Sequence, residues 1–222
     1  MTDDGGYGIY EGVLSSSEAR DVVAAPQRAD LSRTKAGARH VLGVPAVHAL
    51  AHDSRLTAIA ATYVGPGAMP FRATLFDKSP DANWLVAWHQ DTALPLRERT
   101  DDPAWGPWST KAGVLYAHAP AWALEQVIAL RISLDDSTAV NGPLRVLPGT
   151  HRLGVLSEER IAELARQSGA VDCLVAAGGV VAMRPLVVHA SSKSMSDQPR
   201  RVLHVEYAPS LELRAGLTLA IA

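Results

Sequence analysis

Two short stretches carry the residues best suited to chemistry. Trp88-His89-Gln90-Asp91 closes a strand-like run. In an extended chain residues i and i+2 share a face, so His89 and Asp91 converge while Gln90 points away. One imidazole and one carboxylate make up two members of a 2-His-1-carboxylate iron site, which keeps coordination positions open. The same pair is also an ordinary strand-end contact in which Asp91 accepts a hydrogen bond from His89. Further along, Pro185-Leu-Val-Val-His189-Ala-Ser191 ends an apolar strand in a histidine, and Arg200 follows eleven residues later at the head of the next strand. A guanidinium pairs bidentately with a carboxylate and stays charged when buried, and the Ser191 hydroxyl can donate one more hydrogen bond. The competing reading is a buried strand-end histidine followed by a solvated arginine pair.

Other polar residues have weaker claims. Arg72 either points inward, where a substrate could be read, or is a strand-edge charge. Lys78 is a site-facing cation or a salt-bridged turn residue. His118, Trp108 and the other tryptophans (Trp84, Trp88, Trp105, Trp122) surround the expected opening, mostly as packing. His151 is expected to hold its turn, and His40, His48 and His52 to lie at the surface. His204-Val-Glu206 repeats the ligand spacing but lacks a second histidine to complete it, so His204 is read as a core or supporting residue.

Composition limits the chemistry. The 222 residues hold 21 Lys+Arg against 23 Asp+Glu, for a net charge of −2. That balance argues against nucleic acid and an anionic membrane surface as partners. A lone cysteine, Cys173, excludes an intrachain disulfide and any site with two Cys ligands. The polar start Met1-Thr-Asp-Asp has no signal-peptide pattern and no run is long enough to span a bilayer, so a cytoplasmic protein is expected. Oligomeric state is left open.

The elements that must position these residues change character along the chain. Helix signals fill the first third: Ser15-Ser16-Ser17 caps a helix through Glu18 to about Ala25, and Pro45 to Leu50 and Ser54 to Val64 show helical spacing. From Phe71 short strands follow: Phe71–Phe76, Trp84–Asp91, Ala112–Ala117, Leu124–Leu134, Leu144–Leu147, Val171–Val175, Val180–Met183 and Val202–Tyr207. Gly, Pro, Asn and Asp clusters separate them. One helix, Glu158–Gln167, is capped by Ser157, and Arg97 to Thr110 reads as a long loop of the kind that forms lids. The pattern predicts one domain over 1–222, with a helical cover at 1–68 on a mainly β sandwich, jelly roll or small barrel at 69–210.

Taken together, the motifs resemble the phytanoyl-CoA dioxygenase family of iron(II)/2-oxoglutarate-dependent oxygenases. The likeness runs through Leu75-Phe-Asp-Lys78-Ser-Pro, His89-x-Asp91, Leu134-Asp-Asp136, Asn141-Gly-Pro-Leu144, Leu147-Pro-Gly-Thr-His151-Arg-Leu-Gly154 and His189-Ala-Ser191 with Arg200, from about Phe71 to Pro209. The resemblance implies a double-stranded β-helix, a cupin-like jelly roll with N-terminal helices packed on one sheet. It implies iron(II) held by His89, Asp91 and His189, and 2-oxoglutarate clamped by Arg200 with help from Ser191, with dioxygen as the other co-substrate. It places Arg131 where the family contacts the co-substrate, though an arginine departs from the usual neutral residue. Arg131 therefore contacts 2-oxoglutarate or an anionic substrate, or pairs with Glu125 or Asp135.

The activity implied is hydroxylation of a small-molecule metabolite, with succinate and carbon dioxide formed, and Arg72 and Arg131 point to an anionic one; Asp91 favours hydroxylation or desaturation over halogenation, where related enzymes carry a small residue instead. Two other readings stay open. A cupin-like metal isomerase or hydrolase on the same triad would have no need of Arg200, and a non-catalytic small-molecule-binding module on the same fold would have no need of open iron positions.

Overall fold

Period-two burial sets the scaffold. On Ile128–Ser133 the residues Ile128, Leu130 and Ile132 join one apolar cluster with Leu203, Val205 and Tyr207 of the last long strand. The alternate residues, Arg131 on the first strand and His204 and Glu206 on the second, therefore face the opposite side.

The computed structural model describes residues 5–28, 33–34, 37–79, 82–167 and 169–222; the start, Met1 to Asp4, lies outside them. The strands are β1 (Tyr7–Tyr10), β2 (Arg33–Thr34), β3 (Gly37–Arg39), β4 (Met69–Lys78), β5 (Val86–His89), β6 (Ala93–Leu96) and β7 (Trp108–Lys111). They continue as β8 (Val114–His118), β9 (Ile128–Ser133), β10 (Leu144–Val146), β11 (Val171–Cys173), β12 (Val180–Met183), β13 (His189–Ser191) and β14 (Arg200–Ala208). The helices are α1 (Ser16–Arg28), α2 (Pro45–Ala51), α3 (Ser54–Val64), α4 (Ala121–Leu124) and α5 (Glu158–Gln167).

A seven-stranded sheet runs β1-β12-β9-β14-β4-β3-β2, a four-stranded sheet runs β11-β10-β13-β5, and β6-β8-β7 form a third. The pairings are antiparallel throughout. The apolar face of the large sheet is covered by the N-terminal helices through Val47, Leu50, Leu56 and Ala60. A second cluster joins the sheets from inside, with Leu144, Val146 and Cys173 against Val181 and Met183. This is the mainly β jelly roll expected, with helices on one face.

The helices begin where their caps stand. Ser15 and Glu18 form a reciprocal box: Glu18 N–H donates to Ser15 Oγ at 3.3 Å and Ser15 N–H to Glu18 Oε2 at 2.7 Å. Asp53 accepts from Arg55 N–H at 2.8 Å at the start of α3. Three expectations need correction. Leu124–Leu134 is not one strand: α4 ends at Leu124 and β9 begins at Ile128, since an apolar run alone does not separate a buried helical turn from a strand. The segment 1–68 is more than a helical cover, because β1 and β3 extend the large sheet. The expected lid, Arg97 to Thr110, is anchored: Trp105 is buried edge-on against Trp122 at 6.0 Å, and residues from Trp108 onward form β7.

Among the described residues, no helix is long and apolar enough to cross a membrane.

Candidate metal centre and active site

β5 and β13 are neighbours, and their register makes His89 and His189 direct cross-strand partners, with ring centroids 4.2 Å apart. Asp91 lies two residues past His89, where its N–H donates to the Pro185 carbonyl at 2.9 Å. Its Oδ1 is 3.6 Å from His89 Nε2 and its Oδ2 is 3.5 Å from His189 Nε2. One ligand atom from each of the three residues lies within 4.8 Å of the others.

The tautomers suit a metal. His89 Nδ1 donates to the Ala87 carbonyl at 2.8 Å, and His189 Nδ1 donates to the Val187 carbonyl at 2.9 Å. A carbonyl can only accept, so each Nδ1 carries a proton and each Nε2 is the ring nitrogen turned toward Asp91. Burial, with His89 beside it, pushes His189 down to about 4 and keeps it neutral, although Asp91 opposes the shift. Burial also works against the Asp91 carboxylate, but His189 and His89 outweigh it and hold the group well below its ordinary range. Burial works against a charged His89, but Asp91 outweighs it and raises that ring's pKa, so binding a metal there would release a proton. Two imidazoles and one carboxylate are the donor set of a facial iron site. The residues fit such an ion.

Beside the triad lies a cavity of about 110 Å³ lined in part by Arg131, Ser191, Arg200, Phe76 and Trp84. The pairing of β4 with β14 sets Arg200 opposite Lys78. Lys78 Nζ donates to Ser191 Oγ at 2.8 Å, and Ser191 Oγ donates to the Gly142 carbonyl at 2.8 Å. Arg200 Nε donates to the Asn141 carbonyl at 3.2 Å, with Nη2 3.5 Å from Ser191 Oγ. Gly142 is required here. It has a φ of +69°, and a Cβ would stand 2.3 Å from the Ser192 carbonyl oxygen.

Arg131 and Arg200 thus line this cavity with Lys78 behind Ser191, and none of the three is ion-paired with a carboxylate among the described residues. Burial, then Arg200 and Arg131, lowers Lys78 to about 8, and burial, then Arg131, lowers Arg200 to about 10. Arg131 pairs with neither Glu125 nor Asp135; Asp135 is bound by Arg201 at 2.6 Å. Instead Arg131 Nη1 donates to His204 Nδ1 at 3.1 Å. His204 Nε2 stands 3.6 Å from Glu206 Oε1, and Glu206 closes an ion pair with Arg72.

A second cavity, of about 260 Å³, meets the first at Asp91 and Phe76. Arg72 and His118 line it. Arg72 and Lys78 share the inner face of β4, but six residues put them about 20 Å apart, so Lys78 belongs with Ser191 and Arg200 and not with the second cavity. Trp108 lines neither cavity; it packs against the second apolar cluster with Arg99 over its ring. Of the tryptophans only Trp84 reaches the first cavity, because Trp105 and Trp122 pack together and Trp88 lies under Arg145. His40, expected at the surface, is half-buried with Nε2 2.9 Å from the Tyr116 hydroxyl. Arg39, Lys111 and Tyr116 also line the second cavity and escaped the sequence reading. They arrive on β3, β7 and β8 with no motif to mark them.

Two paired strands and the turn after one of them bring two histidines and a carboxylate together on a jelly roll, the architecture of a metal-binding site. The chain belongs to the phytanoyl-CoA dioxygenase (PhyH) family, whose profile matches residues 2–202, well beyond the segment that carries the motifs. A curated relative, the L-proline trans-4-hydroxylase of Streptomyces griseoviridis, is 26% identical over 138 residues, covering 50% of this chain and 51% of the relative. The chain thus spans about half the length of the curated relative it matches. Among solved structures, AviO1 from Streptomyces viridochromogenes Tue57 superposes with a TM-score of 0.67 at 21% identity, covering 96% of this chain and 92% of that one. HygX from Streptomyces hygroscopicus, with nickel and 2-oxoglutarate bound, has a TM-score of 0.68 at 17% identity, covering 94% and 85%. Likeness at this level of identity establishes the shared fold.

Proposed function

We propose that the chain is an iron(II)- and 2-oxoglutarate-dependent dioxygenase that hydroxylates a small molecule. The observation that carries this reading is the pairing of a two-histidine, one-carboxylate triad with a buried group of cations, Lys78, Arg131 and Arg200, that has no ion-pair partner among the described residues. A metal hydrolase or a passive binding module has no use for such a cluster; a dianionic co-substrate does. The same chemistry is supported by the nickel and 2-oxoglutarate held by HygX and by the hydroxylase activity named for the Streptomyces griseoviridis relative.

Iron bound by His89, Asp91 and His189 supplies the activation of dioxygen that is coupled to decarboxylation of 2-oxoglutarate. The chain's own residues bind and aim. Arg200 and Lys78 take the far carboxylate of the co-substrate, with Ser191 fixed between them by the Gly142 carbonyl. Arg131 answers the remaining negative charge from the large sheet, steadied by His204. The carbonyls of Ala87 and Val187 hold each ring by Nδ1, so that Nε2 is the atom turned to ligate. Gln90 braces the loop behind: its side-chain N–H groups donate to the carbonyls of Gly154 and Leu186, and its oxygen accepts from Leu156 N–H. Trp84 and Phe76 restrict water at the cavity. The substrate enters the second cavity, which borders Asp91. A single unit of residues 1–222 carries all of this, since β1 and β3 from the first third complete the sheet.

The test is turnover. With iron(II), 2-oxoglutarate and air, the protein should form succinate in proportion to iron. A metabolite panel should contain compounds that accelerate succinate release and gain one oxygen atom by mass spectrometry. No iron-dependent succinate would overturn the reading, and accelerated succinate without oxygen incorporation would replace hydroxylation with another oxidation.

A further inference from the structure

The second cavity has an unusual charge balance. Its cations come from three strands distant in sequence: Arg39 on β3, Arg72 on β4 and Lys111 on β7. Arg72 is already answered, being ion-paired with Glu206 and donating from Nη1 to the Ala93 carbonyl at 3.0 Å. Arg39 and Lys111 have no carboxylate within ion-pair distance among the described residues. The one carboxylate on the wall is Asp91, and both of its oxygens face the triad imidazoles, at 3.6 and 3.5 Å.

Lys111 Nζ lies over the Tyr116 ring, 4.9 Å from its centroid, and the Tyr116 hydroxyl is 2.9 Å from His40 Nε2. An aromatic floor held in one position thus ends at two unanswered positive charges. Burial, then Arg39 and Arg72, lowers the Lys111 ammonium below the ordinary lysine range, although Asp91 opposes the shift. An ammonium group brought into this cavity would meet three cations and no available carboxylate. The site attracts an acid and repels an amine.

We propose that this cavity binds a small carboxylic acid carrying no charged amine, its carboxylate held by Arg39 and Lys111 and its carbon skeleton directed toward Asp91. That this acid is the molecule oxidised rests on the oxygenase reading above; that it binds does not. Free amino acids are excluded by the same charge balance.

Hexanoate, hexanamide and norleucine share a six-carbon chain and present an anion, a neutral amide and a zwitterion. Each is titrated calorimetrically into protein loaded with manganese(II) and one equivalent of 2-oxoglutarate, which fills the neighbouring cavity and leaves no excess acid to compete. Hexanoate should bind at least about tenfold more tightly than either of the others, the scale expected for an unmet charge-assisted contact. The double variant Arg39→Gln/Lys111→Gln, whose fold is checked by circular dichroism, should bind all three within about twofold of one another. Failure of hexanoate to bind, equal or tighter binding of hexanamide or norleucine, or a preference that survives in the double variant would overturn the proposal. The loading step reads the oxygenase assignment separately. If 2-oxoglutarate does not bind alongside the metal, that assignment falls, while the three titrations and the double variant still report on the acid site.

Discussion

His89 and His189 face each other across an antiparallel register, each with Nδ1 tied to the carbonyl two residues before it in sequence. One local rule, applied on two adjacent strands, sets both tautomers and leaves both Nε2 atoms turned toward Asp91. The supporting carbonyls belong to the main chain, so no side-chain substitution removes them.

The ligands should therefore fail individually. Outer-shell partners of metal ligands typically cost 10–100-fold in affinity, so Asp91→Ala or His189→Ala should cost at least about a hundredfold. Calorimetry with manganese(II) reads the loss, and an unchanged circular dichroism spectrum separates it from unfolding.

Lys78 gives a pH signature. Its pKa in the folded chain falls from 10.5 to about 8. Between those values the folded state binds fewer protons than the unfolded chain, so this group makes stability rise with pH through that window. Below pH 8 its burial penalty is fully present. Lys78→Met should thus be more stable than the parent at pH 7, by about 2–4 °C in melting temperature for each 1 kcal/mol relieved. That advantage should shrink between pH 8 and 10.5. Affinity for 2-oxoglutarate should move the other way, weakening in the parent above pH 8 and losing that dependence in Lys78→Met.

The Arg72–Glu206 pair should behave as a buried ion pair. Glu206 is 1% exposed and opposes Arg72 across β14 and β4. Glu206→Ala leaves a buried guanidinium uncompensated and should cost about 3–5 kcal/mol in urea unfolding. The double variant Arg72→Met/Glu206→Leu should recover most of that loss, because apolar replacement of both partners avoids the unpaired charge.

Gly142→Ala should couple stability to the co-substrate. A Cβ would collide with the Ser192 carbonyl and stand 3.1 Å from Lys78 Nζ, at a backbone φ of +69°. A cost of about 1–3 kcal/mol is expected, together with weaker 2-oxoglutarate binding. Calorimetry and thermal unfolding on one preparation check both.

Legibility in the sequence followed the range of the interactions. Local signals marked α5 to the residue, because Ser157, the leading acids and the following glycine act within one helix. The triad was legible because i, i+2 spacing on one strand fixes a shared face, and because the motifs around His189 and Arg200 are dense. Lys78 was legible only as one of two alternatives, since the long-range register that sets it opposite Arg200 is what chooses the site-facing one. Arg39 and Lys111 were invisible for the same reason: β3 and β7 become neighbours of Asp91 only when the sheets assemble. The tryptophans, read mostly as packing, do pack at Trp105, Trp108 and Trp122, while Trp84 lines the first cavity; Trp108, the one offered for substrate, is among those that pack.

The most direct test of the centre is an anaerobic titration of the iron(II)-loaded protein with 2-oxoglutarate, followed by visible absorption. The parent should develop a weak, saturable metal-to-ligand charge-transfer band; His189→Ala should show none, and Arg200→Ala should require far more 2-oxoglutarate. No band in the parent, or a band undiminished in His189→Ala, would contradict an iron and 2-oxoglutarate site built on His89, Asp91 and His189.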